Sequence, residues 1–153
     1  MNKYSVMQVI PHREKMVLID SLDNYDVDSA TCLVKITAEN LFYDNTKQGV
    51  PSYIGCEYMA QSIAAFSGAH DLDNGKPVGI GFLLGSRKYQ SNQPYFSLNS
   101  VLKIIVNQLY SEESGLRVFD CTIHDQNNEL LAFAKINVFQ PDNATEFLKR
   151  SYE

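Results

Sequence analysis

Residues 52–69 read SYIGCEYMAQSIAAFSGA, a helix-length run that is apolar on nearly every face and carries one formal charge, Glu57. A surface helix would show one polar face, so this pattern predicts a helix that is buried in a larger core. A carboxylate in such a place either finds a partner or takes part in acid/base chemistry. Glu57 is therefore the first candidate for a functional residue.

The segments on both sides of this run have the composition of strands. Residues 16–27 and 29–37 contain β-branched residues between polar turn formers, which predicts a hairpin before the helix. Four further runs follow the helix. These runs span residues 78–90, 96–111, 115–125 and 130–140. The turn signals between them predict that consecutive runs pair antiparallel.

The predicted helix begins at Pro51-Ser52, with Ser52 as its capping residue, and ends between Gly68 and Asn74. A helix that is apolar on all sides needs a sheet wrapped around it. In the last strand run, every second residue points to the same face, and the small side chains on that face would let the strand pass close beneath the helix. These residues are Leu130, Ala132, Ala134, Ile136 and Val138. The predicted fold is α+β, a curved antiparallel sheet around one long central helix, in a single domain over 1–153.

The charge and apolar patterns exclude several classes of protein. The formal net charge is −5 and Lys and Arg are not clustered, which argues against a nucleic-acid surface. The first 15 residues lack a sustained apolar stretch and the run at 52–69 is broken by polar residues, so neither a signal peptide nor a membrane span is expected. A cytoplasmic location follows as the default expectation.

The three cysteines, Cys32, Cys56 and Cys121, show neither CxxC pairing nor a histidine at zinc-site spacing. We expect them to be reduced thiols with a packing role. Neither a metal ion nor a cofactor is expected.

Four short motifs carry a resemblance to a known family: IPHR at 10–13, MVLID at 16–20, VPS at 50–52 and EYMAQ at 57–61. They resemble the hotdog-fold 3-hydroxyacyl-[acyl-carrier-protein] dehydratases of the FabZ and FabA type, over about residues 10–139. The PHRxxMVLID opening, the EYMAQ helix start and the NVFQPD ending are more similar still to the ApeP-like branch of bacterial aryl polyene pathways. The resemblance implies a hotdog fold.

The same resemblance assigns roles to particular residues. It implies that Glu57 acts as acid/base and that backbone N–H groups around Ser52 and Tyr53 polarise the thioester carbonyl. A helix N-terminus is physically suited to donate such bonds, because its first amides are unpaired. Gln61 lies one turn after Glu57 on the same face of the predicted helix, which favours a role in orienting the carboxylate or the substrate. For Glu57 and Gln61 a purely structural role is the competing interpretation, in which each satisfies local polar groups.

The family's catalytic histidine should lie fourteen positions before the helix carboxylate, where this chain has Tyr43. A phenol is mostly protonated at neutral pH, so Tyr43 would be a poor base but a possible acid or hydrogen-bond donor; a packing aromatic is the simpler interpretation. His12 belongs to the PHR opening, where the family's histidine is not catalytic, and a structural role is expected for it. His70 and His124 are too distant in the predicted elements to replace the missing base.

Three functions stay open at this point. The first is a 3-hydroxyacyl-ACP dehydratase in fatty-acid-like or aryl polyene synthesis. The second is a non-catalytic or half-catalytic subunit whose partner hotdog chain supplies the histidine, and the third is an acyl thioesterase. The expected partners are an acyl-ACP or acyl-CoA thioester and a second hotdog chain, in a homodimer or heteromer formed by edge-to-edge sheet pairing.

Overall fold

The computed structural model of the protein describes residues 3–11, 16–79 and 81–140. His12 and the polar tail with Phe147 and Leu148 therefore lie outside the described residues. Two helices and eight strands follow one another along the described chain: α1 Val6–Val9, β1 Ser21–Tyr25, β2 Ser29–Lys35, β3 Gly49–Pro51, α2 Gly55–Asp73, β4 Phe82–Ser91, β5 Tyr95–Ser97, β6 Val101–Ser111, β7 Leu116–His124 and β8 Leu130–Phe139.

Six strands form one antiparallel sheet in the order β1-β2-β6-β7-β8-β4, and β3 pairs with β5 in a small second sheet. The α+β class and the single long helix are confirmed. The prediction that consecutive runs pair was wrong for β4, which joins β8 rather than the next strand of the large sheet. Both edges of β6 are already occupied by β2 and β7, so the outer edge of β8 remains for β4.

The predicted run at 96–111 is in fact two strands, β5 and β6. A polar turn separates them, in which Asn99 has a φ of +71° and its N–H donates to the carbonyl of Ile36 at 2.8 Å. Asparagine adopts this left-handed conformation more readily than most residues. The turn lets β5 pair with β3 directly before the central helix.

Helix α2 is buried along most of its length, as expected. Four positions in its first half are half-buried, and three of them, Glu57, Ala60 and Ala64, form one stripe at helical spacing. On β8 the predicted inner face is correct from Ala132 onward, whereas Leu130 is 41% exposed and Leu131 takes its place in the core. The shift follows from an irregularity in the β7–β8 register next to His124.

The entry into α2 differs from the prediction. A 3-10 turn, Ser52–Ile54, precedes the helix, and Ser52 does not act as its cap. The Ser52 and Ser91 hydroxyl groups instead share a hydrogen bond of 3.0 Å. The end of α2 at Asp73 lies within the predicted range. Within the described residues, no helix is both long and apolar enough to cross a membrane.

All three cysteines are free thiols, as predicted. Cys32 and Cys121 are buried in the core, and burial raises the pKa of the Cys32 thiol to about 12. Burial also raises the pKa of Cys121. Both thiols are consequently protonated and inert at neutral pH, which agrees with a packing role.

The end of α2 is tied to the N-terminal segment through Asp73. Its carboxylate accepts hydrogen bonds from Lys3 at 2.7 Å, from Tyr4 at 2.6 Å and from Tyr25 at 2.7 Å. The hydrogen bond from Lys3, followed by those from the two tyrosines, lowers the pKa of Asp73 below its ordinary value of 3.8. These contacts offset the unfavourable position of a carboxylate at a helix C-terminus.

Asp73→Asn should therefore lower the Tm, but only by on the order of 2 °C near pH 7, because the cluster is exposed to solvent. Since folding lowers the pKa, the carboxylate stabilises the protein above the unfolded value and loses this effect as the pH falls through the folded value. Thermal unfolding of both proteins between pH 3 and 8 should show a constant Tm difference above about pH 5 that shrinks in acid. A difference that grows in acid would contradict this account.

Candidate active site

A cavity of about 180 Å³ runs along the half-buried stripe of α2. The helix contributes its wall on one side, and the segment before β4 and the end of β8 contribute the other. Its described lining consists of Pro11, Glu57, Ala60, Ile63, Ala64, Ser67, Gly79, Gly81, Val138 and Gln140. The walls are mostly apolar or small, so the cavity suits an extended apolar chain with one carboxylate beside it.

Gln61 positions the Glu57 carboxylate. Its Nε2 atom lies 3.3 Å from Oε1 of Glu57, one helical turn earlier. The Gln61 side chain is fully buried, donates to the carbonyl of Met16 at 2.7 Å and accepts from the N–H of Leu18 at 2.8 Å. The Leu18 bond fixes the amide orientation, because only the oxygen of the amide can accept it. An N–H of Gln61 is consequently held toward the carboxylate.

The backbone N–H groups of Ser52 and Tyr53 are the donors predicted at the helix start. The backbone N–H of Ser52 donates to the carbonyl of Pro94 at 2.9 Å, so this amide is already used within the chain. Tyr53 follows it with a side chain that is 70% exposed. Neither residue lines the described part of the cavity.

Tyr89, on β4, contacts the start of α2, and no role was predicted for it from the sequence. Its hydroxyl group donates to the carbonyl of Ser52, and burial raises the pKa of this phenol. A side chain at Gly55 would overlap the Tyr89 hydroxyl, so only glycine permits this close approach. The signal available in the sequence was the single glycine at the start of the apolar run.

Tyr43 is half-buried and packs against the hydrophobic core, and it is absent from the described lining of the cavity. The described histidines are bound elsewhere. His70 Nε2 donates to the carbonyl of Asp26 at 2.7 Å, and His124 Nε2 lies 3.1 Å from the hydroxyl of Thr122. The structure therefore places neither of these two imidazoles with Glu57.

The opposite end of the cavity has a cation behind it. Nη1 of Arg117, on β7, donates to Ser67 Oγ at 2.6 Å and to Gln140 Oε1 at 2.8 Å. Burial lowers the pKa of the guanidinium, while the Asp71 carboxylate opposes that change. No role was predicted for Arg117 from the sequence, although a lone arginine within the apolar run around β7 was a visible signal.

Comparisons with known proteins agree with this fold. The model of the family described as ApeP-like, ApeP dehydratase, matches residues 4–149. A chain of the dehydratase heterocomplex ApeI:P from Xenorhabdus doucetiae is 27% identical, with a TM-score of 0.90 over 99% of this chain and 100% of that one. A search of curated proteins gave no match.

More distant solved structures share the fold alone. A hypothetical thioesterase with coenzyme A from Streptococcus pneumoniae is 12% identical, with a TM-score of 0.59 over 78% of this chain and 84% of that one. The protein smu.793 from Streptococcus mutans, bound to acetyl CoA, is 13% identical, with a TM-score of 0.64 over 85% and 93%. The family match spans nearly the whole sequence, and the chain belongs to the ApeP-like dehydratase family.

Proposed function

We propose that this chain is the Glu57-bearing subunit of a two-chain hotdog dehydratase that acts on 3-hydroxyacyl thioesters. The observation that carries the proposal is the carboxylate itself, which lines a mostly apolar cavity along the central helix and is held by Gln61. Dehydratase-like function follows from the family. The substrate and the division of labour between two chains are the proposed part.

Removal of water from a 3-hydroxyacyl thioester needs two proton transfers. A base takes the proton from the carbon next to the thioester carbonyl, and an acid donates a proton to the hydroxyl group as its C–O bond breaks. Glu57 in its protonated form would supply that second proton and would be left as a carboxylate. The products are a conjugated double bond and water.

The base should come from a partner chain. Tyr43 occupies the position of the family histidine and lies apart from the described cavity, whereas His70 and His124 bond elsewhere. A histidine of a second hotdog chain would complete the pair of catalytic groups. The similar chain from Xenorhabdus doucetiae belongs to a dehydratase heterocomplex, which supports this division of labour.

The sheet offers a surface for such a partner. β4 lies at one edge of the six-stranded sheet, where β8 pairs with one side of it only. Its Leu84 side chain is 59% exposed. A free strand edge that carries an exposed apolar side chain is a template for pairing with another strand. Pairing at this edge would bring a second subunit next to Gly79 and Gly81, which line the cavity.

The test uses intact-protein mass spectrometry of a 3-hydroxyacyl-ACP incubated with this chain alone, with a candidate hotdog partner alone, and with both. We expect loss of one water when both chains are present and no loss with this chain alone. Dehydration by this chain alone would contradict the need for a partner base. Release of free acid, with no loss of water, would identify a thioesterase and overturn the proposal, and no reaction in any mixture would leave only a binding role.

A further inference from the structure

The end of the cavity opposite Glu57 is polar. Ser67 lies ten residues after Glu57 on α2, which places the two about 15 Å apart along the helix. Ser67 is 5% exposed and lines the cavity together with Gln140. Between the two ends the helix presents the small side chains of Ala60 and Ala64. The cavity is thus a mostly apolar passage with polar groups at both ends.

Arg117 determines what those polar groups can still bind. A guanidinium only donates hydrogen bonds, so it occupies acceptor sites on Ser67 Oγ and Gln140 Oε1. The hydroxyl proton of Ser67 and the amide protons of Gln140 have no acceptor among the described residues. The Gln140 amide nitrogen lies over Gly79, a wall of the cavity, because a Cβ added there would come within 2.7 Å of it. The remaining capacity at this end is therefore to donate.

We propose that this end of the cavity binds an oxygen acceptor at the distal end of the acyl chain, so that the substrate is an acyl thioester with a neutral hydroxyl, ether or carbonyl oxygen remote from the thioester. The inference rests on the proposed function, because it takes the acyl chain to lie in the cavity beside Glu57. A plain methyl terminus would leave the buried Ser67 hydroxyl and the half-buried Gln140 amide without acceptors.

A neutral oxygen fits this end better than a carboxylate. The charge of Arg117 is opposed by Asp71, which accepts a hydrogen bond from the N–H of Gly79 at 3.0 Å beside the cavity. A second carboxylate would be brought close to Asp71 in a partly desolvated place, and like charges there repel. A ligand whose acyl chain ends in a neutral oxygen should therefore bind more tightly than one that ends in a methyl or a carboxylate group.

The test measures binding by calorimetry, with the full chain alone and with its partner chain. The ligands are three acyl-pantetheine amides of equal length, which cannot be hydrolysed as thioesters and which end in a methoxy, a methyl or a carboxylate group. We expect the methoxy ligand to bind about tenfold more tightly than the methyl ligand, from the hydrogen bonds gained.

Ser67→Ala should reduce this preference to less than about twofold, because the methoxy oxygen loses the hydrogen bond from the hydroxyl group. Ser62→Ala is the matched control, because Ser62 is a buried serine of the same helix whose hydroxyl donates to the carbonyl of Tyr58 at 2.8 Å and does not line the described cavity. If Ser67→Ala does not fold, Gln140→Met, directly after β8, replaces it, with the same expectation.

The outcomes separate the two proposals. Equal affinity of the wild-type protein for the methoxy and methyl ligands would overturn the distal oxygen site and leave the dehydratase proposal intact. A preference that survives both Ser67→Ala and Gln140→Met would also overturn it. If none of the ligands binds with or without the partner chain, the acyl cavity itself is wrong, and the proposed function fails together with this inference.

Discussion

Glu57→Gln is expected to lower the rate of dehydration of a 3-hydroxyacyl thioester by the two-chain enzyme by at least about 100-fold, since the proton for the leaving hydroxyl group would be lost. The substitution keeps the size and shape of the side chain. Its carbonyl oxygen can still accept the hydrogen bond from Gln61 Nε2, so the local structure should persist. The measurement is the initial rate of water loss followed by mass spectrometry.

Two controls make this result specific to Glu57. Glu129→Gln removes a carboxylate from an exposed position before β8 and should leave the rate within about twofold, because surface charges contribute little. Thermal unfolding should give the same Tm for both variants and the wild type within on the order of 2 °C. A Glu57→Gln enzyme that folds normally and retains more than a tenth of the rate would exclude Glu57 as the acid.

Gly68→Ala is expected to destabilise the protein by about 3 kcal/mol, although alanine favours a helix over glycine by roughly 1 kcal/mol. A Cβ at Gly68 would overlap the backbone carbonyl of Val9, at the end of α1. The overlap is with backbone rather than a flexible side chain, so α1 must move away from α2. Steric overlap therefore outweighs helix propensity, and the free energy of unfolding from urea titration should fall.

Ala64→Gly, one turn earlier on the same helix, isolates the propensity effect. Ala64 lies on the half-buried stripe, and its replacement should cost only about 1 kcal/mol. Displacement of α1 should also lower dehydratase activity, because Pro11 follows Val9 by two residues and lines the cavity. If Gly68→Ala is as stable as the wild type or more so, α1 does not pack against α2 as described.

Much of the fold was predictable because it depends on local patterns. The helix around Glu57, the strand runs and their turns were predicted from apolar spacing and turn residues, and the α+β class was confirmed. Pairing was less accessible. The partner of β4 depends on which strand edges remain free after the other strands have paired, and no local pattern near residues 82–91 records that.

The candidate site, like the fold, was predicted from the sequence only where it depends on local spacing. Glu57 and Gln61 were identified as neighbours because helical spacing puts residues four apart on one face, and their catalytic roles remain predictions. The prediction that the Ser52 amide polarises a carbonyl meets a competing bond, since Pro94 arrives beside it from a distant turn. Such a contact lies more than forty residues away in the chain and follows from the β3–β5 pairing.

From its residues alone, this chain specified one buried helix with a carboxylate near its start, because side-chain spacing along a helix and the cost of burying charge are local properties. The cavity and its donor end arise from tertiary packing. Ser67 lies on α2, Arg117 on β7 and Gln140 directly after β8, and their hydrogen bonds form only when β7 and β8 pair beneath α2. Distances between elements depend on how the sheet packs against the helix, so only the tertiary structure determines the two ends of the site.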